Sequence, residues 1–125
     1  MTTQHLLKDD LVRAKSFIAD RSKWVKHVMA RDIGDFAVDA RDPKAVKFDV
    51  IAALHKATDY IDDDRSRFLA AAYALAAHVD STPRRVKGIN LLMEFNDGCK
   101  HGDLMALFDK AIEGCDNGAT AARAK

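Results

Sequence analysis

Apolar residues recur every three or four positions along most of this chain, which is the spacing of one face of an α-helix. The pattern predicts a first helix from about Thr3 to Asp20. Its apolar face consists of Leu7, Leu11, Ala14 and Ile18. A second, short helix is predicted directly after it, with Ser22 as its capping residue and Trp24 within it.

The helical spacing is interrupted in the middle of the chain. The segment DIGDFAVDARDP places Gly34 among aspartates that favour turns. Within it, Phe36 and Val38 alternate with polar or small residues as they would in a short strand. We therefore expect a small extended hairpin or a packed loop near residues 33–40.

Four more helices are predicted after this interruption. The first begins at Asp42–Pro43, because an N-cap acceptor followed by proline is typical of a helix start, and it ends near Thr58. The other three are expected from the acidic cluster at 62–64 to about Val79, from Pro83 to about Phe95, and from Asp103 to about residue 113. Gly114 can end the last helix, and the tail from about residue 116 is expected to fray.

These elements predict an all-α fold, a compact single-domain bundle of five or six short helices over residues 1–125. The chain is 48% hydrophobic and 31% charged, which excludes membrane-embedded and disordered classes. No apolar run approaches the ~20 residues that span a bilayer. The first residues, MTTQHLLKDD, do not have the pattern of a secretion signal. We expect a cytoplasmic protein without membrane contacts.

The sharpest candidate for chemistry is Asp49. On the predicted helix it falls within the apolar stripe formed by Val46, Val50, Ala53 and Leu54. A buried carboxylate needs a partner, and the neighbours four residues away on either side are alanines. We therefore expect a partner from another element, and the candidates are His27, Arg31, His78, Asn96 and His101. Either Asp49 joins the helix to another element, or it acts as an acid or base in a cleft.

Other candidate residues are weaker. In the FND segment, Asn96 and Asp97 are typical of a helix-to-loop stop, and Asn96 is the second candidate catalytic residue. Trp24 lies among basic residues, so it is either a core residue or a stacking platform. The remaining candidate binding residues are His27, Arg31 and Asp32. The CKHGD segment has no second ligand cluster, so we predict neither a metal nor a cofactor.

Three segments in order resemble a family of small bacterial and phage proteins of unknown function. They are MARDIGDFAV, DPKAVKFDVIAAL and FNDGCKHGDLMALFDKAI, and the resemblance extends from about residue 7 to residue 113. The family pattern has a cysteine where this chain has Asp49 and a glycine where it has Ala52. The resemblance implies a fold and no activity.

Three functions remain open. The leading hypothesis is an interaction protein that works through a protein partner or a homo-oligomer, because no catalytic motif is visible and apolar helix faces are abundant. The alternative is a small-molecule acid–base enzyme or binding protein with a pocket around Asp49. Whether the protein is an enzyme is therefore open at this point, and the lack of a visible catalytic motif favours a protein that is not an enzyme. The net charge of +1 gives little general attraction to nucleic acids, so binding through the basic segments 13–31 and 84–87 is the weakest hypothesis.

Overall fold

The computed structural model describes residues 3–59, 65–79 and 88–124. In these ranges the chain forms five α-helices, one short 3-10 turn at Arg21–Lys23 and three two-residue strands. The helices are α1 Thr3–Ile18, α2 Val50–Ala57, α3 Ser66–Ala76, α4 Gly88–Gly98 and α5 His101–Ala124. The strands are β1 Ala30–Arg31, β2 Ala37–Val38 and β3 Lys47–Phe48.

The hydrophobic core lies between the helices. Its largest fully buried apolar side chains are Leu11, Ile18, Val50, Leu54, Leu75, Leu92, Leu104 and Phe108. Burying one such side chain stabilises the fold by roughly 1.5–3 kcal/mol. Buried alanines on α2 and α3 let these helices approach their neighbours closely. The stripe predicted for the first helix is confirmed, since three of its members are completely buried and Leu7 packs against the core.

The three strands form a small antiparallel sheet in the order β2-β1-β3. Ala30 pairs with Val38 on one side and with Phe48 on the other. The turn between β1 and β2 is held by Asp32, whose Oδ1 accepts hydrogen bonds from the backbone N–H groups of Gly34 and Phe36. The hairpin predicted near residues 33–40 is therefore present, and the fold is mostly helical but not purely all-α.

The helix predicted from Asp42–Pro43 is wrong at its start, because α2 begins only at Val50. The Asp42 side chain accepts a hydrogen bond from the backbone N–H of Lys44, which closes a tight turn instead of starting a helix. Residues 46–49 run along β1: the N–H of Val46 donates to the carbonyl of Arg31. Pairing with β1 overrides the local helix signal in this segment.

Several other boundaries also differ. The short helix predicted after Ser22 is a 3-10 turn, and its N-cap is Asp20. Helix α4 continues three residues past its predicted end at Phe95, and it ends at Gly98 within the NDG segment that was expected to stop it. The last helix begins two residues before Asp103 and continues past Gly114 to Ala124. The predicted helix starts at 62–64 and at Pro83 lie outside the described residues.

Within the part of the chain that the structure describes, no helix is both long and apolar enough to cross a membrane.

Candidate functional site

Asn96 is the centre of a hydrogen-bond network that joins three segments distant in sequence. Its side chain is completely buried in the last turns of α4. Its Oδ1 accepts from the indole Nε1–H of Trp24 at 2.7 Å and from the backbone N–H of Val50 at 3.0 Å. Its Nδ2 donates to the carbonyl of Val25 and to the carboxylate of Asp97, both at 3.2 Å. Both polar ends of the amide are thereby satisfied, as burial requires.

Asp97 extends this network to the loop that follows the 3-10 turn. Its Oδ1 accepts a hydrogen bond from the backbone N–H of His27 at 2.9 Å. The His27 Nδ1 lies 3.6 Å from the other carboxylate oxygen, so a protonated His27 would form an ion pair with Asp97. His27 has a φ of 70°, a left-handed conformation that non-glycine residues rarely adopt. The contact with Asp97 holds the loop in this conformation.

Asp49 is buried, as the sequence analysis predicted, but it lies at the N-cap of α2 and not inside a helix. It is 5% exposed, and its Oδ1 accepts a hydrogen bond from the backbone N–H of Ala52 at 2.7 Å. The prediction that its partner would come from another element is wrong, because the helix start itself supplies the donor. Asn96 caps the neighbouring N–H of Val50, so both candidate catalytic residues meet at the start of α2.

Burial raises the pKa of Asp49 to about 7, well above that of an exposed aspartate. Removal of the carboxylate from water is the largest cause, and the negative charge of Asp97 adds to it. The hydrogen bonds from the backbone N–H groups of Ala52 and Ile51 act in the opposite direction. Asp49 therefore changes its charge near neutral pH, which is the property that a general acid or base requires.

Trp24 is half-buried, and its indole nitrogen and its ring have different neighbours. The indole nitrogen is bound to Asn96, and the residue forms a parallel bridge with Phe48. The Nζ of Lys26 lies 5.3 Å from the ring centroid, and the His101 ring lies 5.6 Å from it. The side chain is thus neither a simple core residue nor a free stacking platform.

Arg31 and Asp32 do not join this network. The Arg31 guanidinium donates a hydrogen bond to the backbone carbonyl of Asp35. Among the described residues, the side-chain carboxylate of Asp35 is also the one nearest to this guanidinium, at 4.0 Å. Asp32 holds the turn of the hairpin. These two predicted binding residues stabilise the hairpin, whereas Trp24, His27, Asp97 and the two candidate catalytic residues come together around the start of α2.

The position of Lys100 and His101 beside Trp24 could not be predicted from the sequence, because 76 positions separate Lys100 from Trp24 in the chain. The two residues share a cleft with Trp24 and Lys26. The only signal in the sequence was the cluster of basic residues between 13 and 31, which contains Lys26 and surrounds the tryptophan. Among the described residues, no three His, Cys, Asp or Glu side chains converge to form a metal site.

A family match covers most of the chain, including every residue of the Asn96 network. The matched family is described as a family of unknown function, DUF6197, and the match extends over residues 2–114. The chain belongs to this family. No curated protein and no solved structure matches the chain. The function of this DUF6197 member therefore has to be argued from its own geometry.

The geometry at the start of α2 supports a stabilising role more directly than a catalytic one. The Asn96 amide and the Asp49 Oδ1 are already bound to partners within the chain. A substrate would have to displace one of these hydrogen bonds to reach either residue. The catalytic role of Asp49 and Asn96 stays a prediction.

Proposed function

We propose that the protein is an interaction protein that associates with a second copy of itself through the β1–β2 hairpin. The observation that carries the proposal is the exposure of large apolar side chains at this end of the sheet. Ile33 is 95% exposed and Phe36 is 72% exposed, the highest values among the large hydrophobic residues of the described chain. Val46, next to the same end of β1, is also exposed.

The hairpin also has a free backbone edge. Strand β2 is the outer strand of the sheet and has β1 as its only neighbour in the described residues. The N–H of Asp32 donates to the carbonyl of Phe36, so these two residues form a hydrogen-bonded pair of the ladder. Because such pairs alternate along antiparallel strands, the N–H and C=O of Ala37 point away from β1. An exposed edge of this kind pairs readily with another chain.

A second copy fits this edge better than an unrelated extended peptide. Two β2 strands that pair antiparallel around a twofold axis exchange the hydrogen bonds of Ala37 with each other. Phe36 of each copy then lies opposite Val38 of the other copy, on the same side of the joined sheet. Both apolar side chains lose exposure, which supplies the driving force. The contact is small, so we expect a weak dimer that depends on concentration.

The test is sedimentation velocity of the purified protein from about 10 µM to about 1 mM, a range that covers weak dimers. We expect the mass to rise from monomer toward dimer. Phe36→Ala removes the apolar contact, and Ala37→Pro removes the outward N–H while leaving the ladder to β1 intact. Both variants are expected to stay monomeric over the whole range.

The matched control is Val12→Ala, which shortens a 47%-exposed valine on α1, outside the hairpin. This variant is expected to dimerise like the unmodified protein. The proposal is overturned if the unmodified protein stays monomeric at about 1 mM. Dimerisation that survives both hairpin variants would also overturn it, because the contact would then lie elsewhere.

A further inference from the structure

A cleft of about 470 Å³ opens beside Trp24, on a different part of the molecule from the hairpin. Arg21 and Lys26 border it from the segment after α1, and Lys100 and His101 border it from the start of α5. Its volume lies within the range of small-molecule sites, roughly 300–1,000 Å³. The cleft is distinct from the Asn96 network, although Trp24 belongs to both.

Among the described residues, the basic side chains of this cleft have no acidic partner within ion-pair distance. In the described part of the chain, no carboxylate lies within the 4.0 Å of an ion pair from Arg21, Lys26 or Lys100. Some other cations of the described chain are paired, for example Lys15 with Asp109 at 2.6 Å and Lys47 with Asp35 at 3.3 Å. Three positive charges around one cavity repel each other, and a bound anion would relieve that repulsion.

The rest of the cleft wall is held in place. The Nε2 of His101 lies 2.7 Å from the carbonyl oxygen of Ile18, so this nitrogen carries the hydrogen and the ring is fixed to the end of α1. Asn96 fixes the indole ring from behind through Nε1. The His101 and Trp24 rings contact each other at 5.6 Å between centroids. A rigid wall lowers the entropy cost of binding a ligand.

We propose that this cleft binds a small phosphate-bearing anion, of the size of inorganic phosphate or a phosphomonoester such as a nucleoside monophosphate. Lysine and arginine side chains that converge on one cavity suit the double charge and the several acceptor oxygens of a phosphate group. The aromatic wall provides apolar contact area for the organic part of a phosphomonoester.

A small anion fits this surface better than a nucleic-acid strand. Asp20 directly precedes Arg21, and hydrogen bonds from Ser22 lower its pKa, so it stays negatively charged. The exposed Asp103 follows His101 on the other side of the cleft. A polyanion that crossed this face would run over these carboxylates, whereas a single phosphate can lie between the basic side chains.

Trp24 makes the proposal directly testable, because it is the only tryptophan of the chain and it lines the cleft. Its fluorescence is titrated with inorganic phosphate, with adenosine monophosphate and with a single-stranded oligonucleotide, all at one constant ionic strength. We expect saturable changes with at least one of the two small anions. Isothermal titration calorimetry repeats the measurement with a signal that does not depend on fluorescence.

Lys26→Gln and Lys100→Gln each remove one positive charge from the cleft and keep a polar side chain that is only one atom shorter. We expect each to weaken binding about fivefold to tenfold, the effect of losing one charge-assisted hydrogen bond. The matched control is Lys110→Gln, an exposed lysine further along α5 that does not line the cleft. This control is expected to leave the affinity unchanged.

Three results would overturn the proposal. The first is the lack of a saturable change with either small anion by both methods. The second is an equal loss of affinity in the control and the two cleft variants, which would show a general charge effect. The third is binding of the oligonucleotide alone, which would assign the surface to nucleic acid. The proposal does not depend on self-association, since the hairpin variants are expected to bind the anion normally.

Discussion

At the scale of single residues, Asn96 makes the most consequential contacts in the described structure. One buried amide joins the indole of Trp24, the loop carbonyl of Val25 and the first N–H of α2. The sequence suggested that Asn96 ends a helix by bonding nearby backbone groups. Its side chain instead bonds mostly to groups more than 40 residues away, which no local pattern could indicate.

We predict that Asn96→Ala destabilises the protein by roughly 3 kcal/mol or more, since it leaves a buried N–H and a buried carbonyl without their partner. Trp24→Phe removes the indole N–H and part of the ring but leaves the other hydrogen bonds of Asn96 in place, so a smaller loss of about 1–2 kcal/mol is expected. Asn90→Ala is the control on the same helix, because Asn90 is exposed and its loss should change the free energy of unfolding by less than about 0.5 kcal/mol. Urea unfolding measures all three. Equal losses for Asn96→Ala and Asn90→Ala would contradict the importance of the network.

At the scale of elements, the starts of helices depend on contacts with other elements. The first described residue of α4, Gly88, has a φ of +61°. A Cβ added there would lie only 2.6 Å from Cε1 of Tyr73 on α3. Glycine is therefore favoured at this position by its backbone conformation, and a larger residue would also have to displace the Tyr73 ring.

Gly88→Ala is accordingly expected to destabilise the fold by about 1–3 kcal/mol, because it adds backbone strain to a steric clash. Gly98, at the other end of the same helix, has open space around the corresponding position. Gly98→Ala should therefore stabilise the protein by about 0.5 kcal/mol through its effect on the unfolded chain. Thermal unfolding followed by circular dichroism compares the two variants. The same sign for both would contradict the structural explanation.

At the scale of the whole molecule, the buried carboxylate of Asp49 links global stability to pH. Its pKa is about 7 in the folded protein and about 3.9 in an unfolded chain. Between these values the folded state holds a proton that the unfolded state has released. The favourable contribution of this proton is complete below about pH 4, and it is lost as the pH rises to about 7. The loss amounts to at most about 4 kcal/mol.

Asp49→Asn is expected to remove this dependence. Asparagine cannot ionise, and it is as good an N-cap as aspartate, so the hydrogen bond from Ala52 is retained. We predict that the variant is more stable than the unmodified protein at about pH 8 and that this advantage shrinks toward about pH 4. Urea unfolding of both proteins at several pH values measures the difference, in which the contributions of groups common to both proteins largely cancel. A difference that is constant with pH would show that Asp49 does not titrate in this range.

Part of the candidate site could be predicted from the sequence. The apolar spacing around Asp49 indicated burial, and Asp49 is indeed buried. Its position at a helix start could not be predicted, because Val46 and Phe48 have the same apolar character in a strand as in a helix. The pairing of β3 with β1 decides between the two, and that pairing joins residues 16–18 positions apart. The cleft beside Trp24 could not be predicted from the sequence for the same reason, since one of its walls comes from the distant start of α5.

The sequence by itself determined the helical class, the amphipathic face of α1 and the hairpin turn, because these depend on the spacing and type of residues close together in the chain. The tertiary structure decided where α2 begins, which groups Asn96 binds and which basic residues surround Trp24. Each of these depends on backbone groups or side chains from segments that only folding brings together. Long-range hydrogen bonds and packing then outweigh the local helix propensities of single residues, which are on the order of a few tenths of a kcal/mol each.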